Sequence, residues 1–233
     1  MSHDGEFSES ESFRRRLVEW FRPHRTIPIT PWRARTRWSL SPASLSVLFG
    51  APFLFGIGEA LLVQSNLGNS PWIVLSQGVS NRTGINLGWA TFWISCIVLL
   101  LWIPLEEKLG VGTLLNIAVI AFALQVGVSV IPVQDELVSG LSFSILGIIL
   151  VGIASAFYIS CGLGPGPRDG WMTGLHHKTG IRIGRVRLAI ESVVLLGGYL
   201  LGGQVGIGTA LFAFFVGQAI AISFGILARV THR

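Results

Sequence analysis

One stretch of the chain occurs twice. Its first copy runs from Asn66-Leu67-Gly68-Asn69-Ser70-Pro71-Trp72 to Arg82-Thr83-Gly84-Ile85-Asn86-Leu87-Gly88, and its second from Gly162-Leu163-Gly164-Pro165-Gly166-Pro167-Arg168 to Lys178-Thr179-Gly180-Ile181-Arg182-Ile183-Gly184. The offset is 96 residues and needs no gap. It also relates Gly56-Ile57 to Gly152-Ile153 and Gly110-x-Gly112-Thr113 to Gly206-x-Gly208-Thr209. Because glycine and proline mark positions where a backbone turns, their recurrence predicts that the two copies fold alike.

The composition is that of a membrane protein. The 233 residues are 51% hydrophobic and 12% charged, against about 25% charged in a typical soluble domain, and the mean hydropathy is +0.64. From Leu40 onward the apolar runs are about 18 to 22 residues long, enough for a helix to cross a bilayer. No run alternates as a barrel strand does. The sequence therefore predicts an all-α polytopic membrane protein with spans near 45–65, 88–104, 111–131, 141–161, 186–202 and 208–228.

The distribution of basic residues predicts the orientation. With six spans and a cytoplasmic N-terminus, the cytoplasmic segments hold sixteen of the 17 Lys and Arg residues, and the outer segments hold only Arg82. Basic residues are retained on the cytoplasmic side, so both termini are expected in the cytoplasm. This asymmetry explains the net charge of +5, and no nucleic-acid partner is expected.

The repeat and the span count together predict an inverted architecture. Residues 45–137 and 138–233 form two repeats with three spans each, preceded by a cytoplasmic segment at 1–44. Because three is odd, the two copies must lie upside down relative to each other in the membrane. Inverted repeats of this kind recur in secondary transporters, whose binding sites lie near the bilayer midplane between the halves.

Each repeat also predicts one short helix between its first two spans. Ser70-Pro71 suits an N-cap followed by proline at the first helical position, and Gly84 suits the C-terminal cap. Gly166-Pro167 and Gly180 occupy the same places in the second copy. A helix of about 12 residues cannot span a bilayer, so it either re-enters the membrane or lies along the interface.

The N-terminal segment has two parts. Residues 1–12 are acidic and serine-rich, and we expect a disordered tail. Residues 13–38 mix arginines with aromatic residues, and 13–21 have the spacing of a short amphipathic turn. Such a segment suits contact with anionic lipid headgroups beside the first span, in addition to setting the topology.

Two acids fall inside predicted spans. Glu59 lies in the first span and Glu191 in the fifth, and their repeat mates are Ser155 and Ser95. Charged residues at such depth cost about 2.5–3.5 kcal/mol on insertion scales, which makes both acids candidates for proton coupling. The alternative is a neutral, hydrogen-bonded Glu that fixes helix packing. For Glu191 a simple pair with Arg187, four residues earlier, is a further alternative.

The second short helix begins with a candidate anion site. Arg168 and Asp169 follow Pro167, and helix N-termini attract anions. The alternative is that Asp169 complements the helix dipole while Arg168 is one more cytoplasmic charge. The remaining candidates for solute binding are polar or aromatic residues of the linkers and spans. They are Asn66, Trp72, Ser95, Ser155 and Arg187.

No pattern in the chain indicates an enzyme. There is no Ser/His/Asp set, metal cluster or cofactor motif, and His176-His177 is a weak metal signal because the two are adjacent. Cys96 and Cys161 lie within predicted spans and form no disulfide framework. We expect no catalytic residue, no metal and no cofactor.

The segment Gly-Leu-Gly-Pro-Gly-Pro-Arg-Asp-Gly at 162–170 resembles the YczE-like bacterial membrane proteins of the YyaS/YitT type. Lys178-Thr179-Gly180-Ile181, Arg187-x3-Glu191 and Gly206-Ile207-Gly208-Thr209 carry the same resemblance, which covers roughly 45–228. It implies a six-helix protein of the bacterial plasma membrane. In the first linker this chain has Ile73 where relatives tend to have Asp, so it lacks an acid there.

Three functional hypotheses follow. The first is a small secondary transporter or flippase-like carrier for a small anionic or zwitterionic solute, in which Glu59 and Glu191 couple protons. The second is a non-transporting accessory protein that supports a biosynthetic or membrane partner. A third, an energy-coupled binding subunit, would need an ATPase partner. The sequence is compatible with a homodimer or with a complex with another protein.

Overall fold

A computed structural model describes Pro23 and residues 26–231 of the chain. Within that part the protein is all-helical and contains no strand. The helices are α1 (Pro42–Gln64), α2 (Pro71–Thr83), α3 (Leu87–Leu100), α4 (Val111–Val130), α5 (Leu137–Ser160), α6 (Pro167–Thr179), α7 (Ile183–Leu200) and α8 (Ile207–Thr231), with a 3₁₀ turn at Ile103–Leu105. The predicted tail at 1–12 and amphipathic turn at 13–21 lie outside the described residues.

Five of the described helices are long and apolar enough to cross a membrane. They are α1, α3 together with its extension to Leu105, α4, α5 and α8. The remaining predicted span, the fifth along the chain at 186–202, corresponds to α7, which has 18 residues. Its sequence contains Arg185, Arg187 and Glu191 in its first half, and these charges set it apart from the other five.

Several helix ends differ from the predicted bounds by a few residues, and the local sequence explains two of these differences. The first span begins at Pro42 rather than near 45, because Ser41 and Ser44 form a reciprocal capping box at its N-terminus. The α-helical part of the second span ends at Leu100 rather than 104. Pro104 has no N–H and its ring would clash with the carbonyl four residues earlier, so the chain continues as a 3₁₀ turn. Both predicted short helices are present, as α2 and α6.

The backbone repeats with the offset seen in the sequence. Helices α2 and α6, α3 and α7, and α4 and α8 each begin 96 residues apart. The described residues with positive φ fall into four pairs with the same spacing. These pairs are Asn66 and Gly162, Gly68 and Gly164, Gly84 and Gly180, and Glu106 and Gly202. The two halves therefore bend at the same places even where the residue types differ.

Helix packing repeats as well. In the first half Gly56 of α1 lies against Ala123 of α4, and in the second half Gly152 of α5 lies against Ala219 of α8. A side chain on either glycine would overlap its alanine, since the added Cβ would lie 2.6 or 2.5 Å from the alanine Cβ. Small residues at these crossings allow the close helix approach that is typical of membrane bundles.

The two halves exchange contacts through their linkers. Gly208 at the start of α8 donates its N–H to the carbonyl of Leu67 at 2.7 Å, and Gly112 at the start of α4 donates to Leu163 at 2.9 Å. These two hydrogen bonds are related by the repeat offset. Each short helix packs against the third helix of the opposite half, α2 on α7 and α6 on α3. The two halves therefore contact each other through two sets of interactions that are related by the repeat.

The described part of the N-terminal arm has no repeat counterpart and crosses the end of α5. Thr30 donates to the carbonyl of Ser160 at 3.2 Å, and Trp32 Nε1 donates to the Ser160 hydroxyl at 3.1 Å. The Trp32 ring stacks on Phe157 with a centroid distance of 5.6 Å. The arm therefore holds the chain at the point where it leaves α5 toward α6.

Candidate functional site

A cavity of about 110 Å³ lies where the two halves meet. Of its 24 lining residues, eighteen form nine pairs that are separated by the repeat offset. The pairs are Phe55 and Val151, Glu59 and Ser155, Ser70 and Gly166, Pro71 and Pro167, Trp72 and Arg168, Thr91 and Arg187, Ser95 and Glu191, Asn116 and Phe212, and Ile120 and Val216. Equivalent backbone positions from both halves face one space, but the two members of a pair usually differ in chemistry.

Glu59 is the most deeply buried acid of the site. It lies in the second half of α1 with 1% of its surface exposed. The hydroxyl oxygen of Ser70 lies 3.0 and 2.8 Å from the two carboxyl oxygens of Glu59. Ser70 is the N-cap residue of α2, yet its side chain caps no backbone N–H of that helix. The hydroxyl oxygen of an N-cap serine normally accepts a backbone N–H of its own helix. Here the Ser70 hydroxyl is hydrogen-bonded to the Glu59 carboxyl group instead.

Arg168 meets its own repeat mate at the centre of the cavity. Its guanidinium carbon lies 5.0 Å from the ring centroid of Trp72, within the range of a cation–π contact. Residues Trp72 and Arg168 occupy the second positions of α2 and α6. The beginnings of the two short helices therefore face each other across the interface.

Three carboxylates act electrostatically on Arg168. They are Glu59, Asp169 and Glu191. Among the residues that the structure describes, however, none forms an ion pair or hydrogen bond with the guanidinium, whose recorded contact is the Trp72 ring. Arg168 is partly buried and carries five N–H donors, and it has no direct anionic partner among the described residues of the cavity wall.

Tyr158 anchors the beginning of α6. Its hydroxyl donates to Asp169 Oδ2 at 2.9 Å and accepts the backbone N–H of Gly166 at 2.6 Å. Tyr158 itself is buried. This pair of hydrogen bonds fixes the turn that carries Arg168 against the end of α5.

The second intramembrane acid has a direct partner. Arg187 Nε donates to Glu191 Oε1 at 2.9 Å, with side chains that are 43% and 22% exposed. Both residues line the cavity from α7, opposite Thr91 and Ser95 of α3. The structure therefore contains the intrahelical pair that the sequence spacing allows.

Two fully buried polar atoms of the cavity wall have no hydrogen-bond partner among the residues that the structure describes. They are the indole nitrogen of Trp72 and the hydroxyl of Thr91, in residues that are 5% and 2% exposed. Buried polar groups are satisfied in most proteins, and an exception calls for a ligand or a water. Both atoms belong to residues that line the same cavity as Arg168.

Relatives of the chain are described only as uncharacterized, and one of them as a membrane protein. The sequence model of DUF6198, a family of unknown function, matches residues 43–224. The chain belongs to this family. An uncharacterized protein of Haemophilus influenzae is 44% identical over 208 residues, covering 89% of this chain and 95% of the relative. The uncharacterized membrane protein YczE of Bacillus subtilis is 28% identical over 189 residues, covering 80% and 85%, and YyaS of the same organism is 25% identical over 183 residues, covering 76% and 90%. No solved structure matches.

The match to the DUF6198 family covers the cavity completely. The lining residues run from Phe55 to Ile220, inside the matched range, whereas the N-terminal arm lies before it. The predicted resemblance to YczE-like proteins is confirmed by the relatives.

Eight of the nine predicted site residues line this cavity. They are Glu59, Trp72, Ser95, Ser155, Arg168, Asp169, Arg187 and Glu191. The exception is Asn66, whose side-chain oxygen and backbone carbonyl accept hydrogen bonds from Gln204 Nε2 at 2.8 and 2.9 Å. Asn66 thus joins the α1–α2 linker to the α7–α8 loop. Within the described residues, no group of three His, Cys, Asp or Glu side chains is placed to hold a metal ion.

Ser70, Tyr158 and Thr91 also line the cavity but are not among the site residues that the sequence predicts. The sequence predicts Ser70 as a helix cap. Its repeat mate Gly166 begins α6 without any side chain, which is the signal that the Ser70 hydroxyl is free for a second role. Tyr158 is one of two tyrosines in the chain, and its polar hydroxyl near the end of an apolar span is the signal that could have identified it.

Proposed function

We propose that this DUF6198 protein is a small secondary transporter that moves a small anionic or zwitterionic solute together with protons across the bacterial plasma membrane. The observation that carries the proposal is the cavity between the halves, walled by nine pairs of repeat-related residues and containing the buried acid Glu59. Secondary transporters built from repeats place their sites in this position.

The proposed topology has six spans, in which α7 joins the five helices that are long and apolar enough to cross a membrane. Helix α7 begins 96 residues after α3, which qualifies as a span, and equivalent elements of a repeat are expected to cross the membrane alike. Three spans per half then require the halves to be inverted, with both termini cytoplasmic, in agreement with the placement of basic residues.

In this topology α2 and α6 re-enter the membrane from opposite sides. The first turns of α2, including Ile73 and Val74, are fully buried, whereas its end near Arg82 is exposed. Helix α6 likewise begins at buried Pro167 and ends at exposed Thr179. A short helix whose N-terminus reaches the protein centre is the arrangement with which transporters bind charged groups at the midplane.

Glu59 is the proposed proton carrier. A serine hydroxyl has one proton, so ionised Glu59 receives one hydrogen bond that its two oxygens must share. Protonated Glu59 can donate to the Ser70 oxygen while its other oxygen accepts the Ser70 hydroxyl, so that both short contacts become hydrogen bonds. The Glu59–Ser70 pair is therefore suited to both states of a proton site, whereas Glu191 is paired with Arg187 and is the weaker candidate.

Reconstitution tests the proposal. The full chain in liposomes loaded with a pH-sensitive dye is exposed to a panel of small anions and zwitterions, and the rate of acidification inside is compared with that of protein-free vesicles, which gives passive permeation. We expect a protein-dependent proton influx with at least one solute, and its loss in Glu59→Gln. Glu136→Gln, at an exposed N-cap of α5, is the matched control and should behave as the unmodified protein.

Two outcomes would contradict the proposal. Unchanged proton influx in a folded Glu59→Gln protein would exclude Glu59 as the carrier. Absence of influx with every solute, combined with stable co-purification of a second protein, would favour the accessory role instead.

A further inference from the structure

Among the described lining residues, the Arg168 guanidinium and the Trp72 indole N–H can only donate hydrogen bonds, and neither has a hydrogen-bond partner. The side chains of Thr91, Ser95, Asn116 and Ser155, which can both donate and accept, have none either. Each acid already has a partner, because Glu59 is hydrogen-bonded to Ser70, Asp169 to Tyr158, and Glu191 to Arg187. A ligand that completes this site must therefore bring acceptors for the two donor-only groups, and the guanidinium favours a ligand with a negative charge.

The two short helices add to the same field. Neither N-cap residue, Ser70 of α2 or Gly166 of α6, caps its helix with its own side chain. In α6 the Tyr158 hydroxyl accepts the Gly166 N–H, and Asp169 lies in the first turn. Residues of both N-termini line the cavity. Each helix has 13 residues, long enough for its aligned peptide dipoles to place partial positive charge at that end. An anion between the N-termini interacts favourably with both helices and with Arg168.

The size and the remaining walls limit the rest of the ligand. Holding one water molecule takes roughly 10–15 Å³ of cavity volume, so the cavity of about 110 Å³ has room for roughly seven to eleven waters. Much of the wall is apolar and offers no hydrogen bond. The residues concerned include Phe55, Ile117, Ile120, Phe212, Val216 and Ile220. A fully polar inorganic anion would leave this surface unused, whereas a short hydrocarbon chain or ring would cover it.

We propose that the cavity binds a small organic monocarboxylate. Its carboxylate lies against the Arg168 guanidinium and the indole N–H of Trp72 at the meeting point of α2 and α6, and its hydrocarbon part lies against the apolar wall. The assignment rests on the proposed transport function only for its biological meaning, since binding itself requires no movement across the membrane.

The charges of the site agree with a single negative charge on the ligand. The charged residues that line it are Glu59, Asp169, Glu191, Arg168 and Arg187. With all five ionised the empty site carries one net negative charge. When a monoanion enters and Glu59 takes up a proton, the total is unchanged. A dianion would add a second negative charge that nothing in the described lining balances.

Equilibrium binding to the purified full chain tests the assignment. Titration calorimetry in detergent at pH 7.5, in a buffer free of carboxylates and phosphate, would use butyrate and benzoate as probes and inorganic phosphate and butylamine as comparison compounds. We expect both carboxylates to bind and both comparison compounds to bind at least about tenfold more weakly. Binding of carboxylates should quench tryptophan fluorescence, because Trp72 lies under Arg168.

Variants connect the binding to the named groups. Arg168→Gln should weaken carboxylate binding by roughly tenfold or more, and Arg168→Lys should retain part of the affinity, because a point charge remains but the planar fork is lost. Trp72→Phe keeps a ring and removes the indole N–H, so it should weaken binding severalfold. Arg185→Gln removes an exposed charge of α7 outside the cavity lining and should leave the affinity unchanged. Size-exclusion profiles and melting temperatures confirm that each variant is folded.

The outcomes separate this assignment from the transport proposal. Preference for phosphate or butylamine, or unchanged affinity in folded Arg168→Gln and Arg168→Lys proteins, would overturn the monocarboxylate assignment. Carboxylate binding without proton-linked uptake would keep the assignment and refute transport. Proton-linked uptake of another solute without carboxylate binding would do the reverse.

Discussion

At the scale of single residues, the site depends on Ser70, whose hydroxyl is hydrogen-bonded to the Glu59 carboxyl group instead of capping its own helix. Ser70 has the backbone geometry of an N-cap, with φ −62° and ψ 150°, but its hydroxyl contacts Glu59. A carboxyl group buried to 1% exposure needs such a partner, because burying it alone is costly. The residue that begins α2 thereby also connects α2 to α1.

Ser70→Ala is expected to lower stability by about 1–3 kcal/mol, since it leaves a buried carboxyl group without its hydrogen-bond partner. Ser76→Ala is the matched control, because Ser76 is buried on the same helix and donates only to the carbonyl of Trp72 at 3.0 Å. Melting temperatures in detergent, followed by tryptophan fluorescence, should fall clearly further for Ser70→Ala. Equal shifts in the two variants would show that the Glu59 contact contributes nothing special.

At the scale of helices, the repeat swaps large and small residues across the interface. Trp102 packs against Gly170 of α6 and donates its indole N–H to the carbonyl of Pro167 at 2.9 Å. The equivalent contact joins Gly198 of α7 to Val74 of α2. In one contact the glycine is on the short helix, and in the repeat-related contact it is on the longer one, although both glycines belong to the second half. The same approach of two helices is thus achieved with opposite residues.

Gly170→Ala is expected to destabilise the protein by about 1–3 kcal/mol, because its Cβ would overlap the Trp102 ring and the core there is already filled. Gly197→Ala on α7 is the control. Nothing lies within 4 Å of its added Cβ, so this variant should be neutral or more stable by up to about 1 kcal/mol through helix propensity. Thermal unfolding of the two proteins gives the comparison. A Gly170→Ala variant as stable as the control would show that Trp102 can move aside freely.

At the scale of the whole molecule, everything proposed about transport depends on the path of α7. This helix has the repeat position of a span, but its first half is charged. If it crosses the membrane, Ile181 before it and Val205 after it lie on opposite sides. If it lies along the surface, they lie on the same side, and the halves are not inverted.

Labelling with a membrane-impermeant maleimide tests that path. In a background without Cys96 and Cys161, single cysteines replace Ile181, Val205 and Val133, which are exposed by 48%, 41% and 54%. We expect labelling of positions 205 and 133 on intact cells, and labelling of position 181 only after permeabilisation. Labelling of 181 and 205 under the same condition would remove the sixth span and the inverted arrangement.

From the sequence alone one can predict the helical membrane class, the two short helices, the repeat and eight residues of the cavity wall. These properties come from local chemistry and counting. Apolar runs show which segments form spans, proline and glycine mark the ends of short helices, and a repeat offset assigns equivalent positions in advance. Glu59 and Glu191 were identified because charge inside an apolar run stands out without knowledge of its neighbours.

Only the tertiary structure decided which side chains meet. The spacing of the sequence allowed Arg187 to pair with Glu191, and the fold forms that pair. It could not show that Ser70 contacts Glu59, that Tyr158 holds Asp169, or that Trp72 and Arg168 stack although they are 96 residues apart. Asn66, chosen for its place in the linker, contacts Gln204 instead of the cavity. The physical reason is that periodicity orients a residue within its own helix, whereas the partner across an interface depends on how the two halves dock.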